Sequence, residues 1–255
     1  MRRLAAALLI GVAACGSDVR VVVAAGTTLV DSGVLERVVA DFEARSDVEV
    51  SVVDTSSLRV LELGRRGGAD VLLSHHPAAE ADFLAEGFAV DSASFMESRF
   101  LLLAPSVVAA TLHGETLAAA LVSIAQRGLD FVGRRDGSGT AAFEESVWAA
   151  VGLDPVDSPW YSSTGLGMGE TLLVADDRRS IIIAEEGAYL SAARMLDLVP
   201  VELADQHPNP YRVTLVADSV EAREFYEWLL SPSGREAIIR ADSAMFEEPV
   251  YRVGE

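Results

Sequence analysis

Residues 130–150 read DFVGRRDGSGTAAFEESVWAA, and this stretch indicates the class of the fold. A short apolar strand over residues 130–133 leads into a loop rich in glycine and hydroxyl side chains, and residues 141–150 follow as a helix. The same order of strand, loop and helix recurs along the chain. Repeated units of this kind predict an α/β fold in which mixed, mostly parallel sheets carry helices on both faces. Further strands are predicted at residues 20–25, 48–52, 69–73, 100–104, 181–184 and 211–217.

Four polar loops precede predicted helices, at residues 26–28, 54–57, 134–140 and 165–169. A helix N-terminus presents free backbone N–H groups and a partial positive charge, which together favour anions. Glycine lets the backbone approach a ligand closely, and serine and threonine hydroxyls add donors. Arg134 adds a planar guanidinium that suits oxyanions. The loops therefore predict a site for a small anion, although a capped helix after a flexible turn explains loop 134–140 equally well on its own.

The N-terminus predicts export. Two arginines follow Met1, an apolar run covers residues 4–14, and Cys15 comes next. The run is too short to span a bilayer. Residues 12–15 read VAAC and resemble a bacterial lipobox, so residues 1–15 are expected to be a lipoprotein signal peptide and Cys15, the only cysteine, the lipidated residue. An ordinary signal peptide with an incidental cysteine is the alternative.

The net charge is −19, from 39 acidic and 20 basic residues. This acidity argues against nucleic acid as a partner and against adhesion to an anionic membrane by charge. It does not exclude an anion site, because exposed charges beyond about 8 Å are largely screened at physiological salt.

Five stretches, taken in order, resemble one family. They are DSG at 31–33, GRRGGADVLLSH at 64–75, FVGRRDGSGT at 131–140, WYSSTGLGMGETL at 160–172 and NPY at 209–211. The second, third and fourth resemble the GR-x-G-x-ADVLL-x-H, FVSRGD-x-SGT and WY…GQGMG-x-TL signatures of the tungstate-binding components of bacterial tungstate ABC importers. These components are type II solute-binding proteins.

The resemblance implies a two-lobe periplasmic-binding-protein-like fold of type II with a cleft between the lobes. Lobe 1 would comprise residues 18–103 and 211–255, and lobe 2 residues 104–210, with crossover strands near 100–105 and 211–217. An oxyanion would lie in the cleft. The ligand-binding residues implied are Thr27, Thr28, Ser56, Ser57, Arg134, Ser138, Gly139, Thr140 and Gly165.

The function implied is that of an extracytoplasmic solute-binding lipoprotein of an ABC importer. It would bind tungstate or molybdate, perform no catalysis, and use no cofactor and no metal apart from the metal oxyanion itself. Its partners would be the oxyanion and the importer's permease, with a lipid anchor as its contact with the membrane. We expect a monomer on the outer face of the cytoplasmic membrane or in the periplasm.

The chain departs from the family pattern at four positions. Gly26 replaces a hydroxyl residue, Ala141 a histidine, Leu166 a glutamine and Glu186 an arginine, which removes donors and one positive charge. Three alternatives therefore stay open: a binder of phosphate, sulfate or another small anion; a lipoprotein with a degenerate cleft that serves as a sensor or interaction module; and an exported hydrolase that uses a cleft carboxylate.

Three carboxylates bear on these alternatives. If Asp136 faces the ligand, it favours an oxyanion that keeps a proton, as phosphate does near neutral pH, and repels a fully deprotonated one. If Asp136 caps its own turn instead, tungstate and molybdate remain favoured. Glu185 and Glu186 are expected in a solvated turn, because no nucleophile or oriented base accompanies them.

Overall fold

The computed structural model describes residues 19–254, so the predicted signal peptide and Cys15 lie outside the described residues. In chain order the elements are β1 Arg20–Gly26, α1 Thr27–Asp31, α2 Val34–Glu43, β2 Glu49–Thr55, α3 Ser57–Arg65, β3 Val71–Ser74, α4 Pro77–Ala85, β4 Asp91–Pro105, α5 Ser106–Leu112, α6 Leu117–Arg127, β5 Phe131–Gly133, α7 Gly139–Ala150, β6 Tyr161–Ser163, α8 Met168–Asp177, β7 Ile182–Glu185, α9 Glu186–Ala192, a short 3₁₀ turn Ala193–Met195, β8 Leu198–Pro200, β9 His207–Leu215, α10 Val220–Leu230 and α11 Pro232–Met245.

The main sheet has the strand order β2-β1-β3-β9-β4-β7, with β8 also paired to β4, and β5 pairs with β6 separately. The mixed α/β fold is thus confirmed. Among the named strands, parallel pairing is confined to β1–β2, β1–β3 and β5–β6, whereas every pair that involves β4 or β9 is antiparallel. The described sheets are therefore less parallel than the strand–loop–helix pattern predicts, because two long strands run between the two halves of the molecule.

The buried apolar side chains form two groups. One group, which packs around β1 and β3, draws on residues 21–96 and 211–251. The other, which packs around β5 and β7, draws on residues 100–203. This separation supports the predicted two-lobe division, which we retain as a proposal. The predicted first segment of lobe 1 ends at residue 103, but Leu102 already packs in the second group. The separation therefore favours a lobe boundary a few residues before 103.

Local sequence explains helix α2. In α2, Val34, Leu35, Val38 and Phe42 recur at helical spacing and are buried. The N-cap of this helix is Gly33, which lies in the left-handed region at φ 74°. Among residues 19–254 no single helix has the length and apolarity to cross a bilayer, and α5 and α6 reach them only as a pair bent by 119°.

Candidate functional site

The predicted loops converge at one place in the structure. The first residues of α1 and α3 follow the adjacent parallel strands β1 and β2, whose ends are in register at Gly26 and Thr55. The loop before α7 lies against both: Arg134 Nη2 donates to Thr27 Oγ1 at 2.9 Å, and the amide of Leu58 donates to the carbonyl of Gly137 at 3.0 Å. Parts of the chain with separate cores therefore meet at these helix starts.

Arg134 lies at the centre of this convergence and is fully buried. Its Nη2 also donates to Asp136 Oδ2 at 2.7 Å, and its Nε donates to the carbonyl of Leu166 at 3.3 Å. Burial lowers the pKa of Arg134 from its usual value, and the nearby Asp136 carboxylate opposes this shift. The side chain stays charged, because a guanidinium is not deprotonated in proteins. Its third nitrogen, Nη1, has no partner in the described protein.

Asp136 caps its own turn. Its Oδ1 accepts the amide of Ser138 at 3.2 Å and the Ser138 hydroxyl at 2.7 Å, while its Oδ2 accepts from Arg134. Both carboxylate oxygens are thus engaged by donors of the same loop. Of the two roles considered for Asp136, the structure favours the cap.

His75 follows β3 and links the first loop to β9. Its Nε2 lies 2.9 Å from Thr28 Oγ1, and its Nδ1 lies 2.9 Å from Asn209 Oδ1. The ring stacks on Tyr211 with centroids 4.9 Å apart. Burial lowers the pKa of His75 to about 4, so the imidazole is neutral at neutral pH. Both ring nitrogens are already bonded, which leaves this histidine a structural role.

Four of the predicted site residues have a buried polar side-chain atom with no hydrogen-bond partner among the described residues. All four residues are less than a tenth exposed, and each unpaired atom belongs to a hydroxyl or a guanidinium, so each can donate. A buried donor left unpaired costs on the order of 1–3 kcal/mol and calls for an explanation. The atoms are Ser56 Oγ, Ser57 Oγ, Arg134 Nη1 and Thr140 Oγ1.

Other predicted site residues serve the scaffold in this structure. Ser138 Oγ accepts the amide of Ala141 at 3.2 Å and so caps α7. Gly165 is exposed, and its amide donates to the carbonyl of Arg134 at 2.7 Å. Gly139 packs so tightly on His75 that an added Cβ would lie 2.0 Å from the His75 carbonyl oxygen. Ser138 and Gly165 thus shape the loop that presents Arg134, and neither offers a free hydroxyl or amide donor.

Two further carboxylates, Asp31 and Asp54, lie close enough to Arg134 for its charge to affect them. Asp31, at the end of α1, accepts the amide of Gly169 at 3.1 Å. Although the Asp31 side chain is exposed, desolvation by the surrounding protein raises its pKa, and the hydrogen bond from Gly169 and then the charge of Arg134 oppose the increase. Burial and the neighbouring Asp31 charge also raise the pKa of Asp54. The sequence interpretation assigned no function to Asp31, although it lies in a stretch that carries the resemblance.

The structure corrects the expected solvated turn at Glu185 and Glu186, because both side chains are buried. Glu185 caps α9 by accepting the amide of Ala188 at 2.8 Å, and burial raises its pKa to about 7. Glu186 forms a two-point ion pair with Arg99, with Nε–Oε2 at 2.9 Å. This chain has Glu186 where the family pattern has an arginine, and the positive charge of Arg99 on β4 neutralises the Glu186 carboxylate.

The chain is similar to known proteins in sequence and in fold. A family model described as a PBP superfamily domain matches residues 12–233. The chain is 31% identical to the tungstate-binding protein TupA of Peptoclostridium acidaminophilum over 91% of this chain and 84% of that protein. The crystal structure of the tungstate ABC transporter from Geobacter sulfurreducens superposes with a TM-score of 0.78 at 29% identity and covers 87% of this chain and 98% of that one. The tungstate-binding protein TupA of Desulfovibrio alaskensis G20 gives a TM-score of 0.76 at 26% identity, with 92% and 98% covered.

Proposed function

We propose that this chain captures tungstate between two lobes and delivers it to an ABC importer. The premise is that the chain belongs to the PBP superfamily and, within it, to the tungstate-binding solute-binding proteins. Members of this family are solute-binding proteins and not enzymes. The proposal extends the family assignment to the ligand, to the cleft and to the residues of this chain that hold the anion.

One observation carries the proposal: the four unpaired donors of Ser56, Ser57, Arg134 and Thr140. They come from the start of α3, the loop after β5 and the start of α7. A hydrogen bond from Leu58 to Gly137 joins the first two of these segments, and one from Arg134 to Thr27 joins the loop to the start of α1. A tetrahedral oxyanion offers four oxygens that only accept, so it complements a set in which every member can donate. The starts of α3 and α7 add partial positive charge. Thr27 complements this set, because its oxygen accepts from Arg134, which leaves its hydroxyl proton able to donate to a ligand.

The state of Asp136 bears on which anion is bound. A protonated oxyanion such as hydrogen phosphate needs an acceptor for its own proton, and both Asp136 oxygens already accept hydrogen bonds. This arrangement favours fully deprotonated dianions over phosphate. Tungstate and molybdate share shape, charge and nearly the same size, so we propose both as ligands, with tungstate first because the named relatives bind it.

The proposal also includes export of the chain, a lipid anchor at Cys15 and a monomeric state. The predicted signal peptide supports export and anchoring, and the named transporter relatives support a permease as partner. The described apolar cores, which separate near residues 96–100 and 203–211, support the two lobes.

Thermal unfolding of the chain from Gly16 onward, titrated with tungstate, molybdate, sulfate and phosphate, tests the proposal. A ligand at about 100 times its Kd adds about 2.7 kcal/mol of stability. We expect a rise in melting temperature with tungstate or molybdate, and its loss in Arg134→Ala. Arg135→Ala is the matched control, because Arg135 is exposed and carries the same charge one residue away.

Asp136→Asn distinguishes the two anion classes. If Asp136 only caps the turn, the variant keeps preferring tungstate over phosphate, because the amide oxygen can still accept from Ser138. A rise with phosphate alone in the wild-type protein, lost in Asp136→Asn, would replace tungstate by phosphate. No rise with any anion would refute the proposal and favour a degenerate cleft.

A further inference from the structure

We infer that Asp31 is a positioning residue that holds the two lobes closed over the bound anion, by accepting a hydrogen bond from the start of α8 in the opposite lobe. The inference rests on the proposed function, because it concerns the lifetime of the proposed complex. It gives a role to the stretch DSG at 31–33, which neither the sequence patterns nor the anion site accounts for.

The geometry starts from α1, which has contacts at both of its ends. At its start, Thr27 accepts from Arg134 and Thr28 bonds His75. At its end, Asp31 Oδ2 accepts the amide of Gly169 at 3.1 Å. The next residue, Ser32, accepts the Ser191 hydroxyl on its carbonyl oxygen at 3.0 Å. A five-residue helix thus joins the anion site to α8 and α9.

The start of α8 is suited to a carboxylate from outside the helix. Its N-cap is Gly167, which has no side chain to accept from the first free amides. Asp31 supplies that acceptor, and its negative charge faces the positive end of the helix. The chain neighbours of Asp31 and Gly169 belong to the two separate apolar cores, with Leu29 in one and Met168 in the other. Asp31 is exposed and Gly169 is half-buried, so the hydrogen bond between them is open to solvent. If the lobes move apart the bond is lost, so this contact stabilises only the closed arrangement.

The negative charge of Asp31, taken alone, predicts the opposite effect on binding. Asp31 is an acidic residue near a site for a dianion, with Asp54 and Glu170 also nearby. If Asp31 acted only through its charge, it would repel the ligand, and its removal would tighten binding. If it acts as a contact between the lobes, its removal weakens binding. The sign of the change therefore decides between the two.

The test is a measurement of association and dissociation rates for tungstate by stopped-flow tryptophan fluorescence on the chain from Gly16 onward. For Asp31→Ala we expect koff to rise about fivefold, the scale of one partly solvated hydrogen bond, with kon within about twofold. Asp31→Asn keeps an oxygen that can accept from Gly169, so it should restore part of the slow dissociation. Ser191→Ala should raise koff by a smaller factor.

Glu170→Gln is the matched control. Glu170 is exposed in the first turn of α8, and its carboxylate accepts no hydrogen bond from the described residues, so this variant changes charge alone. The inference is overturned if Asp31→Ala leaves koff unchanged or lowers it, or if Glu170→Gln raises koff as much as Asp31→Ala does. Failure of the proposed function is a separate result, since the wild-type protein would then not bind tungstate at all.

Discussion

Replacement of Gly139 by alanine should prevent the lobes from closing while leaving each lobe folded. The alanine Cβ would lie 2.0 Å from the carbonyl oxygen of His75, a backbone atom that no change of rotamer can move. Real Cβ atoms essentially never come closer than 3.0 Å to another heavy atom, so the start of α7 must move from His75 by at least about 1 Å. Gly139 and His75 lie in different proposed lobes, and the clash therefore exists only when the lobes meet.

The size of the effect follows from the donors on α7 and its loop. A shift of about 1 Å stretches a hydrogen bond beyond its useful range. A bond to a charged group contributes about 1.5–3 kcal/mol, so loss of two of them weakens binding on the order of 100-fold or more. Tungstate at 100 times the wild-type Kd then equals the Kd of the variant, and the stabilisation falls from about 2.7 to about 0.4 kcal/mol.

The assay is a pair of melting curves, with and without tungstate, for the wild-type protein and three Gly→Ala variants. Gly26→Ala and Gly167→Ala are matched controls at other helix starts of the site, because their added Cβ atoms would meet neighbours only at 3.5 Å and 3.7 Å. Without ligand, Gly139→Ala should melt close to wild type. A Gly139→Ala protein that tungstate stabilises as strongly as wild type would refute the reasoning.

Two further substitutions probe buried groups. Thr140→Val removes an unpaired buried hydroxyl, so the ligand-free protein should be as stable as the wild type or more stable. The variant should bind tungstate about tenfold more weakly, as measured by calorimetry. Equal affinity would show that Thr140 does not contact the anion. Glu185→Gln should flatten the pH dependence of stability. Burial raises the pKa of Glu185 from 4.5 to about 7, so the folded state binds the proton more tightly. The contribution of Glu185 to the unfolding free energy is therefore fully present below about pH 4.5 and is lost as pH rises through 7. Melting curves at pH 5 and pH 8 should show a smaller difference in the variant, by up to about 3 kcal/mol; an unchanged difference would contradict the assigned protonation.

Part of the site could be predicted from the sequence because parallel strands place their carboxyl ends side by side. Thr27 follows β1, Ser56 follows β2 and His75 follows β3, and these strands are parallel neighbours in register. Polar loops after such strands meet at one edge of the sheet without further information. The loop of Arg134 belongs to a different sheet, and only the family resemblance indicated that it would face the others.

Two features that the sequence did not indicate, the burial of Glu186 and the contact of Asp31, share one physical cause, which is that their partners lie far away in the chain. Adjacent glutamates at 185 and 186 suggest a solvated turn because burying a carboxylate is costly unless it is paired. The partner of Glu186 is Arg99, which is 87 residues away. The acceptor role of Asp31 depends on Gly169, which is 138 residues away. Periodicity and capping rules describe neighbours along the chain, so they identify the local elements here and not these pairs.

The ion pair between Arg134 and Asp136 changes what the arginine contributes to an anion site. Because the Asp136 carboxylate lies 2.7 Å from the guanidinium, the pair carries little net charge toward a ligand. A dianion would then be held mainly by oriented donors: the unpaired Arg134 nitrogen, the hydroxyls and the starts of α3 and α7. Donors fixed by the fold need no reorganisation when the anion arrives, and they act at short range where the acidic surface is screened. A chain with a net charge of −19 can therefore hold a dianion, and its selectivity would depend on the size and protonation of the anion more than on charge.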